Sequence, residues 1–241
     1  MSPQDTRTRI LEAAAQLFHE QGYHATGIAT ILRQADVNSG SLYHFFPGKE
    51  ELLEGVLRWR LAELRPQVTD PAEAQAADPL ERVFALMRLY RQMLDLSACT
   101  MGCPVGNLAL ELSDSLPRIR ALIQANFENW IDVVEGWLVA AGSRLPADVD
   151  RRALARFVLT VMEGGIMQAR ALGAPGPFEE SVAHMRRYFD LLQASARAGG
   201  RLPVDGPGVH EPEPTPPPTA LRKPRPTRKP AASRPSRRTS R

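Results

Sequence analysis

Thr26-Gly-Ile-Ala-Thr-Ile-Leu-Arg-Gln-Ala-Asp-Val-Asn-Ser-Gly-Ser-Leu-Tyr-His-Phe-Phe-Pro-Gly-Lys-Glu-Glu-Leu52 is the stretch whose reading decides the fold. Thr26 is placed to cap a two-turn helix over 27–35, its hydroxyl accepting from free backbone N–H groups. Ile28, Ile31 and Leu32 give that helix one apolar face. Asp36 stands at the tight turn that follows, where a left-handed residue is often required and Asp is tolerated. Val37 plugs the corner, and Asn38 caps a second helix over 39–45. Leu42, Phe45 and Phe46 then point inward, while Ser39, Ser41, Tyr43 and His44 face out. This is a helix-turn-helix over 27–46. Its tip is kept slim by Gly40 and Ser41, which matters for a turn that must enter a groove about 12 Å wide.

Upstream, Ile10, Leu11, Ala14, Leu17 and Phe18 fall on one face of a helix from about residue 6 to 21, ended by Gly22. Downstream, Pro47 is suited to open a helix running to about residue 65. Pro66 to Pro79 reads as a polar, Ala/Pro-broken connector. Further helices are predicted at about 79–97, 103–113, 116–142, 147–172 and 178–197, separated by glycine and proline. No period-2 alternation suggests a strand, so the chain is predicted to be all-α. Beyond Gly199 the composition changes: 11 of the 41 residues from 201 to 241 are proline and none is aromatic. Such a segment buries too little apolar area to offset its ordering entropy and is predicted to be a disordered, basic, Pro-rich tail.

The net charge of +3 hides an asymmetry. Residues 1–200 carry 20 basic and 24 acidic side chains, a net of −4, whereas residues 201–241 carry 10 and 3, a net of +7. The first 50 residues hold 4 basic and 5 acidic side chains, an electrostatically weak head for nucleic-acid binding. No apolar run is long enough to span a bilayer, and the start lacks a signal peptide, so a cytoplasmic, nucleoid-associated protein is expected. Two cysteines make neither a disulfide framework nor a zinc site. No phosphate-cradling glycine loop, His-Glu-x-x-His helix or Gly-x-Ser-x-Gly elbow is present, which argues against an enzyme. No cofactor and no metal are expected.

Residues 4–64 resemble the DNA-binding domain of the tetracycline-repressor (TetR) family. The resemblance rests on Ile10-Leu-Glu-Ala-Ala, Leu17-Phe18, Gly22-Tyr and Thr26, then on Val37-Asn-Ser-Gly-Ser-Leu-Tyr-His-Phe-Phe and Lys49-Glu-Glu-Leu. Asp36 departs from the glycine usual at the turn, and Ser39 lacks the long basic side chain often found there. The resemblance implies a DNA-contacting set of Thr26, Asn38, Ser39, Gly40, Ser41, Tyr43, His44 and Lys49. Ser39, Gly40 and Ser41 would approach base edges, Tyr43 and His44 would meet phosphates or bases, and Thr26 and Lys49 would hold the backbone. The partners implied are a palindromic operator, a small-molecule effector and a second copy of the chain, in a repressor that the effector releases.

By the same resemblance, residues 66–200 form a ligand-binding and dimerisation domain. The last two helices would make the dimer interface through Phe157, Val158, Val161, Met162, Ile166, Val182, Met185, Phe189 and Leu192, an internal core stripe being the alternative. Gly164 and Gly165 would permit close helix approach. The pocket would be lined by Phe84, Met87, Tyr90, Cys103, Asn107, Glu111, Phe127, Trp130 and Met162, since flexible Met and flat aromatic side chains suit an adaptable apolar cavity. Cys103 precedes Pro104 at a helix start, where free N–H groups lower a thiol pKa, with Cys99 as a candidate resolving partner. Two alternatives stay open: a thiol- or electrophile-responsive regulator using Cys103, and a non-specific architectural DNA-binding protein using the basic tail.

Overall fold

The computed structural model describes residues 3–199, and the tail reading of 201–241 lies outside them. Among the described residues every regular element is helical. Helix α1 (Pro3–Gln21) ends at Gly22, whose φ of 85° only glycine adopts without strain. Helix α2 (Ile28–Ala35) stops at Asp36, left-handed at φ 51°, ψ 54° as expected. Helix α3 (Ser39–Phe45) starts at Asn38, whose Oδ1 accepts from the Ser41 N–H at 2.8 Å. Pro47 lies outside the next helix, α4 (Lys49–Leu64), which Gly48 precedes.

The expected connector is instead helical. A π-turn, Arg65–Thr69, runs on from α4 and leads directly into α5 (Asp70–Gln75). Pro66 and Pro71 each fall at the N1/N2 position of their segment, and the helical path runs on through both. The body continues through α6 (Pro79–Leu96), α7 (Pro104–Leu112), α8 (Pro117–Ala140), α9 (Arg151–Leu172) and α10 (Gly176–Arg197).

Two apolar clusters organise these helices. One joins α1–α4 to the second half of α7 and the start of α8: Ile10, Phe18, Ile31, Leu42 and Leu57 pack with Leu108, Leu112, Ile119 and Ile123. The head therefore shares its core with two helices of the body. Gly55 of α4 lies at a close approach in this packing, since a Cβ there would lie 2.7 Å from Phe46 Cε1 and 3.2 Å from Leu11 Cδ2. Gly55→Val is expected to destabilise the fold by about 1–3 kcal/mol, read from chemical denaturation, because an overpacked core must shift. A variant as stable as the parent would refute that account.

The second cluster unites α6, α8, α9 and α10. It corrects the predicted dimer stripe. Val158, Met162, Ile166, Met185, Phe189 and Leu192 are buried inside the protomer, so they hold α9 and α10 to their own body. Gly165 makes this possible, its Cα facing the Phe178 backbone so closely that a Cβ would lie 3.2 Å from the Phe178 Cα; Gly164 has open space instead. The apolar residues left outside are Phe157, Met167, Leu172, Tyr188 and Leu191.

Candidate functional site

On α3, Ser39, Gly40, Tyr43 and His44 are exposed and Ser41 is half-buried, so one face of a short helix presents small groups and two polar rings. Asn38 spends its carbonyl oxygen on the cap and keeps only its amide for any ligand. Lys49, the first residue of α4, lies over the Tyr23 ring with Nζ 4.3 Å from its centroid. Partial burial lowers its pKa, and Glu111 opposes that shift. Arg9, which the sequence reading passed over, fastens the turn: its guanidinium donates to the carbonyls of Ala35 and Asp36.

Thr26 is a correction. It is 1% exposed, and its hydroxyl donates back to the Gly22 and Leu17 carbonyls at 2.7 and 3.3 Å. The residue before α2 is Gly27, with no side-chain cap. A hydroxyl buried and committed inward neither caps α2 nor reaches a phosphate.

In the body, Tyr90, Cys103, Phe127, Trp130 and Met162 share the wall of a cavity of about 200 Å³. A neighbouring space of about 610 Å³ between α7 and α9 takes in Asn107, whose Oδ1 accepts from Arg170 at 3.3 Å. A third, of about 330 Å³, reaches His19 of α1. Three predicted lining residues lie elsewhere. Phe84 and Met87 are core residues of α6, and Phe84 packs edge-on to Phe189 beneath the Arg186 guanidinium. Glu111 faces the head, its carboxylate accepting from the Tyr23 and His24 N–H groups at 2.9 and 2.7 Å.

Cys103 does cap α7, its Sγ accepting from the Gly106 N–H at 3.3 Å. The expected lowering of its pKa is nevertheless wrong. Burial and the nearby Glu163 carboxyl push the thiol well above its ordinary value, outweighing the helix end. Cys99 is buried and lines none of these three spaces. Arg60 and Glu163, both on the cavity wall, were missed. A charged residue between Met162 and Gly164 in an otherwise apolar stripe was the available signal for Glu163.

Helix α7 connects cavity and head. Its first turn carries Cys103 and Gly106 into the cavities, while Leu108, Glu111 and Leu112 engage α1 and the turn after it. Just before α7, the Gly102 carbonyl meets His19 Nε2 at 2.6 Å. Burial lowers the His19 pKa, and the hydrogen bond to Gly102 opposes that shift.

Comparison with known proteins agrees with this arrangement. Residues 10–56 match the family model described as bacterial regulatory proteins, tetR family, and residues 79–184 match the LmrA/YxaF-like transcriptional regulator C-terminal domain. The HTH-type transcriptional regulator YxaF of Bacillus subtilis is 32% identical over 164 residues, covering 68% of this chain and 84% of that protein. LmrA of the same organism is 32% identical over 168 residues, covering 69% and 87%. A crystal structure of regulatory protein TetR from Rhodobacter sphaeroides superposes with a TM-score of 0.66 at 27% identity, covering 76% of this chain and 95% of that one. A helix-turn-helix head on a helical body, with relatives of both parts among regulators, places this chain in the TetR family of transcriptional regulators, as a DNA-binding protein that controls transcription.

Proposed function

We propose that this protein is a ligand-relieved repressor, working as a homodimer on a palindromic operator. Residues 4–64 serve as the DNA-binding head, and 66–200 as the effector-binding and dimerising body. The observation that carries the reading is α7, which lines the cavities at one end and enters the core of the head at the other. A ligand that reshapes the cavity must then move the head or α7 must yield. Only a ligand with different affinities for the two arrangements shifts their balance. By linkage, operator DNA weakens ligand binding by the same factor.

On DNA, Ser39, Gly40 and Ser41 approach base edges, Tyr43, His44 and the Asn38 amide supply hydrogen bonds, and Lys49 meets phosphate. Two heads reach successive major grooves about 34–36 Å apart. The test is selection of bound sequences from a random duplex pool by the full chain. One recovered palindrome supports the operator and homodimer parts of the reading, and enrichment of no sequence overturns it. On that palindrome Tyr43→Phe, which deletes one exposed hydroxyl, is expected to weaken binding by about fivefold, near 1 kcal/mol. Unchanged affinity would take Tyr43 out of the contact set.

A further inference from the structure

We propose that the effector is a bipolar molecule, an apolar body with a protonated amine at one end for Glu163 and an anion at the other for Arg60. This rests on the ligand-relieved reading and specifies the chemistry of its cavity. The cavity of about 200 Å³ has Arg60 and Glu163 on its wall. The space of about 330 Å³ beside it includes Arg60 but not Glu163, and the space of about 610 Å³ includes Glu163 but not Arg60. Both charges thus face the central cavity, and each is shared with a different neighbouring space.

Neither charge meets an opposite charge in an ion pair among the described residues. Glu163 Oε1 is buried without a hydrogen-bond partner among the described residues, and the other contact of this carboxyl is the Cys103 thiol. Burial raises its pKa, and the hydrogen bond from the Cys103 thiol opposes that shift. Arg60 stacks over the Trp59 ring at 5.6 Å but makes no hydrogen bond or ion pair among the described residues. Glu63, on the same wall, is taken up by Gln67 at 2.8 Å. Unpaired charges removed from water are costly, so a ligand that answers both gains over one that answers either.

The rest of the wall fits the same molecule. Phe127 and Trp130 line the cavity along with Glu163, and aromatic faces attract a cation that a carboxylate also holds. Tyr90, on the wall of both spaces that Arg60 lines, accepts from Trp130 Nε1 at 2.9 Å and keeps its own hydroxyl proton for an anion. Because Arg60 belongs to α4, the helix entering the head, the anionic end pulls directly on the element that carries the DNA-binding helices.

The experiment is calorimetry on the full-length protein with para-(aminomethyl)benzoate and its biphenyl homologue, against para-toluate and para-methylbenzylamine. At least one bipolar compound is expected to bind about tenfold or more tightly than both one-ended ones, about 1.4 kcal/mol. Arg60→Met should reduce that compound to the affinity of the amine, and Glu163→Gln to that of the toluate. Thermal melts identify any variant that fails to fold; the wild-type ranking then decides alone. One-ended compounds that bind as tightly, an advantage that survives both substitutions, or no binding at all would overturn the proposal. Bipolar binding that leaves the selected palindrome bound supports this chemistry and overturns ligand relief instead.

Discussion

Phe157→Glu combined with Leu191→Glu is expected to leave a folded monomer whose affinity for the selected palindrome is about 10²–10⁴-fold lower than that of the parent. The size of the loss follows from what a dimer does for two weak heads. Once one head is bound, its partner is held near its half-site at high effective concentration, and a monomer loses that gain without losing a single contact. The choice of residues follows from burial. Phe157 is 40% exposed and Leu191 67%, whereas Val158, Phe189 and Leu192 beside them are sealed in the protomer. Charge at the first pair burdens only the outer face of α9 and α10; charge at the second set would unfold the body. In a two-fold homodimer built on this face, four new carboxylates would be brought together, so the substitutions would repel as well as hydrate. Light scattering gives the mass and mobility shift gives the affinity. A variant that stays dimeric would move the interface off this face, and a monomer that binds as tightly would end the homodimer reading.

The sequence carried the helix-turn-helix because its determinants are local. Asp36 in the left-handed turn, Asn38 as cap and the spacing of Ile31, Leu42 and Phe46 each act within a few residues. The 66–79 stretch departs from the expected connector because Pro66 and Pro71 fall in first turns of helical segments, where proline is compatible with helix. The dimer stripe failed for a different reason. Periodicity finds the most apolar face of α9 and α10, and that face is claimed by the protomer's own core, which leaves Phe157, Tyr188 and Leu191 exposed on the other face. Cys103 shows the limit of local electrostatics. A helix end lowers a thiol pKa, but Glu163, sixty positions away in sequence, and burial dominate it, and neither is readable from the residues around the cysteine. Glu111 lies between Leu108 and Leu112 on α7, yet nothing in that spacing reveals that its carboxylate meets the backbone of Tyr23 and His24.

That contact leads to the second large effect. Glu111→Gln is expected to weaken operator binding by about tenfold or more while the protein remains folded and its mass in light scattering is unchanged. The carboxylate accepts two backbone N–H groups with its two oxygens, the arrangement in which charge-assisted hydrogen bonds are strongest. An amide keeps one acceptor and turns a donor toward the other N–H. The loss is about 1.5–3 kcal/mol of a contact that joins head to body. Its buried neighbours Leu108 and Leu112 still pack against the head, so the fold survives, but the turn after α1 is freed to move. A head that is no longer held must be ordered when it docks, and that cost appears as lost affinity. Hydrogen exchange separates this from a defect at the DNA surface. The Tyr23 and His24 amides should exchange faster in Glu111→Gln, whereas Tyr43→Phe, which touches only the exposed face of α3, should leave them protected. Faster exchange with unchanged operator affinity would mean that α7 anchors the head without setting its competence for DNA, and the transmission route would then have to run through α4 alone.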